Sequence, residues 1–146
     1  MGERLPLGFL INTLAGEFRD RTGAALEQFG LSTREVGLMT RLSHHGTLSQ
    51  SRLGQLHHTD RTSMVGHVDR LEARGFVERR RDPSDRRVYL ICLTDLGEST
   101  LRDARKFTDE VEQDITGSMT DRQREQVRDL LMRALDDIHD RTAKQH

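Results

Sequence analysis

The chain is poor in the residues from which a large core, a redox site or a membrane anchor is built. Of its 146 residues none is Trp, one is Tyr, one is Cys and two are Pro, and only 34% are hydrophobic. The single Cys92 excludes an intrachain disulfide and fits a reducing compartment. No apolar run approaches the ~18 residues that a membrane helix needs. Glu17 and Arg19 stand where a signal-peptide cleavage site would be expected. A cytoplasmic protein with no membrane partner is therefore expected. Gly-rich phosphate loops, nucleophile elbows and paired metal motifs are also missing, which argues against an enzyme and against any cofactor.

Charge of one sign is lacking too, because the formal net charge is −1. Its distribution is uneven. Residues 47–91 carry nine Arg against six acidic residues, a net of +3, while the rest of the chain nets −4. A basic middle between acidic flanks is the pattern of a nucleic-acid footprint confined to one part of the fold.

The apolar residues that are present fall into periodic stripes. Residues 5–29 read as a first helix stopped by Gly30. Ser32 with Glu35 three positions on has capping-box spacing for a second helix, which Gly46 ends. Leu48-Ser49 is expected to open a short third helix with Leu53 and Leu56 inward. After only His57-His58-Thr59-Asp60, Asp60 caps a fourth helix that turns Met64, Val65, Val68 and Leu71 inward and stops at Gly75. Residues 76–81 and 88–93 read as strands around the polar turn Asp82-Pro83-Ser84-Asp85-Arg86-Arg87. Thr94 caps a long fifth helix to about Thr116, and Thr120 starts a last one. The expected fold is mainly α with a small β-wing, six helices and one hairpin. The first, fifth and sixth helices lack partners in so small a domain, so their stripes should pack on each other and on a second subunit.

The fourth helix presents Arg61, Thr62, Ser63, Gly66, His67 and Arg70 opposite its apolar face. Arg can grip guanine edges, Ser and Thr can bond bases or phosphates, and Gly66 allows close approach. Ser49, Gln50 and Ser51, at the start of the third helix, join these DNA-binding candidates. In the hairpin, Arg79, Arg80, Arg81, Arg86 and Arg87 crowd together, an arrangement suited to a narrow, negative minor groove, with Asp82 or Asp85 placed to orient the tip arginine; a solubilised edge hairpin is the alternative.

The runs Asp60-Arg61-Thr62-Ser63-Met64-Val65, Leu71-Glu72-Ala73-Arg74-Gly75-Phe76-Val77-Glu78-Arg79, Asp82-Pro83-Ser84-Asp85-Arg86-Arg87 and Leu93-Thr94-Asp95-Leu96-Gly97 resemble the MarR family of bacterial regulators. The resemblance implies one domain over 1–146, with a winged helix-turn-helix DNA-binding region at 32–94 and a helical dimerisation region from 1–30 and 95–146. It implies a homodimer on inverted-repeat DNA, the fourth helix in the major groove and Arg87 of the Asp85-x-Arg87 element in the minor groove. It further implies a repressor released by a small anionic or phenolic effector. A pocket from helices one, two and five would draw on Phe9, Asn12, Phe18, Arg19, Met39 and Phe107, each equally explained as core or surface.

Alternatives at this point are a ligand-independent regulator, an activator of the same fold, or a winged protein that binds partners rather than DNA. A metal-responsive sensor is less favoured: the pairs His44-His45 and His57-His58 end helices, where contact with C-terminal carbonyls explains them, and no metal ligand is assigned. Cys92, on the second wing strand, is expected to pack rather than sense oxidants.

Overall fold

The computed structural model describes residues 4–143. Its contacts divide the chain into one unit ending at Val111 and a second beginning at Glu112. The first holds helices α1 (Leu7–Glu27), α2 (Thr33–His45), α3 (Gln50–Leu56) and α4 (Arg61–Ala73), strands β1 (Leu48–Ser49), β2 (Val77–Arg81) and β3 (Tyr89–Leu93), and most of α5 (Asp95–Ile115). The second holds the last turn of α5 and α6 (Asp121–Ala143).

The caps form where the local sequence dictates. Ser32 Oγ accepts from the Glu35 backbone N–H at 3.2 Å, and Glu35 Oε2 accepts from the Ser32 backbone N–H at 2.9 Å, so two otherwise orphaned donors are satisfied reciprocally. Asp60 Oδ1 accepts from the Ser63 N–H at 2.9 Å and starts α4. Gly75 closes that helix at φ 74°, a left-handed conformation that glycine adopts without steric cost. In the second unit Thr120 and Gln123 repeat the box, with the Thr120 N–H donating to Gln123 Oε1 at 2.8 Å.

Met39, Leu42, Leu53, Met64, Val68, Leu71, Ile91 and Leu101 form one buried cluster with Leu26 and Leu38. This core sits under α4 and the sheet, so the recognition-type helix rests on a rigid floor. By contrast, Leu7, Leu10, Ile11 and Leu14 of α1 are exposed, and burial on that helix is complete only at Thr22 and Leu26.

One expected element is different. Leu48-Ser49 does not open α3; it forms β1 and pairs antiparallel with β3, Leu48 opposite Ile91 and Ser49 opposite Leu90, giving the order β1-β3-β2. The free edge of β3 supplies hydrogen-bond partners that two residues cannot find locally. Ser49 still serves α3, as its N-cap, with Oγ accepting from the Arg52 N–H at 3.1 Å.

His57 also departs from expectation. It caps the C-terminus of α3 through its backbone, but its ring packs on α2, where a Cβ on Gly37 would lie 2.9 Å from Cε1. Burial, then the positive charges of Arg41 and Arg34, push its pKa down to about 4. A neutral packed ring replaces the expected favourable charge at a helix end.

The join between β3 and α5 is the tightest in the fold. The Thr94 N–H donates to the Phe76 carbonyl at 3.1 Å, and Thr94 Oγ1 donates to the Gly75 carbonyl while accepting from the Gly97 N–H at 3.0 Å. A Cβ on Gly97 would overlap the Phe76 carbonyl oxygen. Gly97→Ala should therefore lower stability by about 1–3 kcal/mol, as overpacking against backbone does; an unchanged denaturant midpoint would disprove it. The folded chain keeps His57 neutral down to about pH 4, whereas the unfolded chain protonates it near pH ~6.5. Its contribution to stability is thus full above that value and is lost as pH falls toward 4. His57→Gln should flatten the fall in melting temperature over that window, read by calorimetry.

Candidate nucleic-acid interface

The first turn of α4 carries Arg61, Thr62 and Ser63, all exposed. The turn before it is compact: the Thr59 N–H donates to the Gly54 carbonyl at 3.0 Å, and His58 takes φ 48° to reverse the chain. This places the N-terminal end of α4, with its unpaired N–H groups, at the surface beside α3. Ser51 is exposed on α3, while Gln50 is drawn inward as a hydrogen-bond acceptor for Arg79.

The wing builds its own tip. The Asp82 N–H donates to the Val88 carbonyl at 3.0 Å and the Val88 N–H to the Asp85 carbonyl at 2.9 Å. Asp82 Oδ1 accepts from the Ser84 N–H at 2.8 Å, and Asp85 Oδ1 accepts from the Arg87 N–H at 3.0 Å and Nε at 3.2 Å. Arg87 is oriented by that carboxylate, yet its side chain is 92% exposed. Arg81 lies over the Tyr89 ring at 4.8 Å and donates to the Arg86 carbonyl at 2.6 Å. Arg86 is exposed, and Arg80 pairs with Glu78 at the strand edge.

Not every arginine of the basic middle faces outward. Arg79 is held by Asp69 at 2.6 Å and Glu72 at 2.5 Å, with 18% of its side chain exposed. Burial would lower its pKa, but these two carboxylates hold it above the ordinary arginine value. Arg74 donates to the Phe29 carbonyl at 2.5 Å and to the Gly30 carbonyl, capping the end of α1, and stacks over Phe76 at 4.8 Å. Arg70 Nε donates to Glu35 Oε1 at 3.0 Å and Nη2 to His67 Nδ1 at 2.7 Å. Spacing along the chain could not reveal the long-range pairings, since Arg74 bonds the Phe29 and Gly30 carbonyls just after α1 and Arg70 bonds Glu35 of α2. Asp69 and Glu72, which hold Arg79, and Glu35, read from the sequence only as part of a helix cap, are the carboxylates that position these arginines.

The six pocket candidates are dispersed. Met39 is fully buried, Phe107 packs on Phe29 at 5.7 Å between ring centroids, and Phe9, Asn12 and Arg19 lie on the exposed surface of α1, with Phe18 half-buried there. A cavity of about 440 Å³ lies instead between Ser43 of α2 and the α5 side chains Glu98, Arg102, Arg105, Lys106 and Asp109. Arg105 Nη2 is buried there with no hydrogen-bond partner among the described residues. Among those residues no group of three or more His, Cys, Asp and Glu is placed to hold a metal ion. Cys92 is buried, and its thiol is pushed up by burial, an inert rather than a reactive setting. No described helix is long and apolar enough to cross a membrane.

This geometry agrees with comparisons to known proteins. The MarR family model matches residues 31–89. The uncharacterized HTH-type transcriptional regulator YdgJ of Bacillus subtilis is 30% identical over 110 residues, covering 75% of this chain and 67% of that protein. The crystal structure of a MarR-family transcriptional regulator from Rhodococcus sp. RHA1 superposes with a TM-score of 0.81 at 28% identity, covering 88% of this chain and 91% of that one. A MarR variant from E. coli complexed with operator DNA shares the fold, with a TM-score of 0.75 at 21% identity over 90% of this chain and 94% of that one. With its six helices, its three-stranded wing sheet and the matched run from α2 to β3, the chain belongs to the MarR family of helix-turn-helix transcriptional regulators.

Proposed function

We propose that the protein is a sequence-specific DNA-binding repressor that acts as a homodimer on an inverted repeat. The observation that carries this reading is the pairing of two outward cationic elements on one rigid core. One is the exposed Arg61-Thr62-Ser63 turn of α4, and the other is the Asp85-oriented, 92% exposed Arg87 at the wing tip. The first suits base edges in the major groove and the second the narrow, negative minor groove. The E. coli MarR variant of the same fold is a protein complexed with operator DNA, which supports the reading.

Dimerisation is supported by two exposed apolar stripes. Leu7, Leu10, Ile11 and Leu14 mark α1, and Val127, Leu130, Leu131, Leu135 and Ile138 mark α6. Monomeric soluble proteins rarely leave such contiguous patches open. The functional division is winged helix-turn-helix at 32–94 and dimerisation helices at 1–30 and 95–146.

A small anionic effector is supported by the cavity between α2 and α5, where Arg102, Arg105 and Lys106 supply positive charge beside Glu98 and Asp109.

In solution the chain should run as a dimer at micromolar concentration and prefer half-sites centred about 10 base pairs apart. A monomer by sedimentation, or indifference to site symmetry, would sink that. Arg87→Ala should weaken binding with only a modest loss of sequence preference and reduce the salt slope by about 1, whereas Arg61→Ala should cost about 1–3 kcal/mol at one base position only. Fluorescence-anisotropy titrations over a salt series separate the two. Added 2-hydroxybenzoate should loosen the wild-type complex and leave Arg105→Leu unaffected; equal release from both proteins would remove Arg105 from the effector site.

A further inference from the structure

His67 lies on the same side of α4 as Ser63 and Arg70, one turn from each, and its protonation state is set by its neighbours. Arg70 Nη2 meets its Nδ1 at 2.7 Å. A guanidinium only donates, so Nδ1 must carry the lone pair, and the single proton of a neutral imidazole then sits on Nε2.

Arg70 is not free to swing away and release that choice. Its Nε donates to Glu35 Oε1 at 3.0 Å, and Glu35 is itself fixed, since Oε2 accepts from the Ser32 N–H at 2.9 Å and Oγ at 3.1 Å. The guanidinium passes beside Gly66, its Nη1 3.6 Å from where a Cβ would stand. The ring stays neutral: burial lowers its pKa first, then the charges of Arg70 and Arg34, against the opposing effect of Glu35 and Asp60. Ser32, Glu35, Arg70 and His67 thus form one chain of bonds running from the cap of α2 to the side of α4.

The far nitrogen is left open. Nε2 has no protein partner among the described residues, and it is not among their buried unpartnered polar atoms, so it faces solvent. We infer that His67 reads the DNA major groove as a hydrogen-bond donor through Nε2–H, with guanine as the favoured base and Arg70 and Glu35 as positioning residues. Guanine presents two acceptors there, N7 and O6, whereas cytosine presents a donor amino group that Nε2–H repels. Arg70, with Nε and one Nη2 hydrogen already committed, orients the ring rather than gripping a base bidentately. This inference rests on α4 entering the major groove.

The test begins without DNA. In the full-length chain labelled with 15N-histidine, NMR at neutral pH should show His67 as the Nε2–H tautomer, and Arg70→Met should shift it toward a mixture. An Nδ1–H tautomer in the wild-type protein overturns the inference. Selection from a randomised duplex pool then compares wild-type protein with His67→Phe. The wild type should enrich a guanine at one position, and His67→Phe should lose that preference by roughly 2- to 10-fold while still enriching the remaining positions. His67→Gln, which keeps a donor, should retain a reduced preference and serves if the Phe variant does not fold. Placing 7-deazaguanine at that position should weaken the wild type and leave His67→Phe unchanged. No enrichment by the wild-type chain would overturn the DNA-binding reading itself. Enrichment of the same sequence by wild type and both variants would overturn only the role of His67.

Discussion

Arg79 leaves strand β2 and reaches back over α4, where one guanidinium binds Asp69 and Glu72 together and touches Gln50 of α3. The Arg79 N–H adds a backbone bond to Glu72 at 3.0 Å. Three elements that must keep a fixed mutual angle, the wing and both helices of the turn, therefore meet at one side chain. A planar fork with five donors makes all four of these side-chain contacts from fixed directions, one more than the three donors of a lysine ammonium could make. The distance between the α4 surface and the wing tip depends on that fork.

The same logic divides the arginines of the basic middle into two populations. Arg70, Arg74 and Arg79 spend their donors on carboxylates, carbonyls and an imidazole within the fold. Arg61, Arg86 and Arg87 keep theirs at the surface. The net positive charge of the segment is thus a poor measure of what is available to a polyanion. Availability is decided by the acids: Asp69 and Glu72 draw Arg79 inward, Glu35 ties down an Arg70 that stays at the surface, and Asp85 aims Arg87 outward.

Much of this was legible from the residues. The Ser32–Glu35 box, the Asp60 cap and the stops at Gly30, Gly46 and Gly75 are local features, and all three glycines take positive φ. The hairpin and the outward Asp85–Arg87 pair were equally local. What escaped reading was whatever depends on distant parts of the chain. Leu48-Ser49 became a strand because β3, some forty positions away, offers an open edge. Met39 reads as a possible pocket residue by helical position, yet it is fully buried in the core cluster. Arg79 looks like its neighbours in the sequence, and only the folding of β2 onto α4 separates it from Arg80 and Arg81. Gly97 was quoted within a motif, but the carbonyl it must clear belongs to Phe76, before the hairpin begins.

The wing tip is bonded almost wholly to itself: Asp82 to Ser84, Asp85 to Arg87, Arg81 to Arg86. Its root, in contrast, is tied to α4 through Arg79 and to the α5 junction through Thr94. Stability and recognition are therefore written in separate letters. Substitutions between Asp82 and Arg87 can alter what the tip touches without reaching the core, so the protein can change its preferred target while its fold stays the same. That freedom stops at Arg79, where a change in recognition would also be a change in architecture.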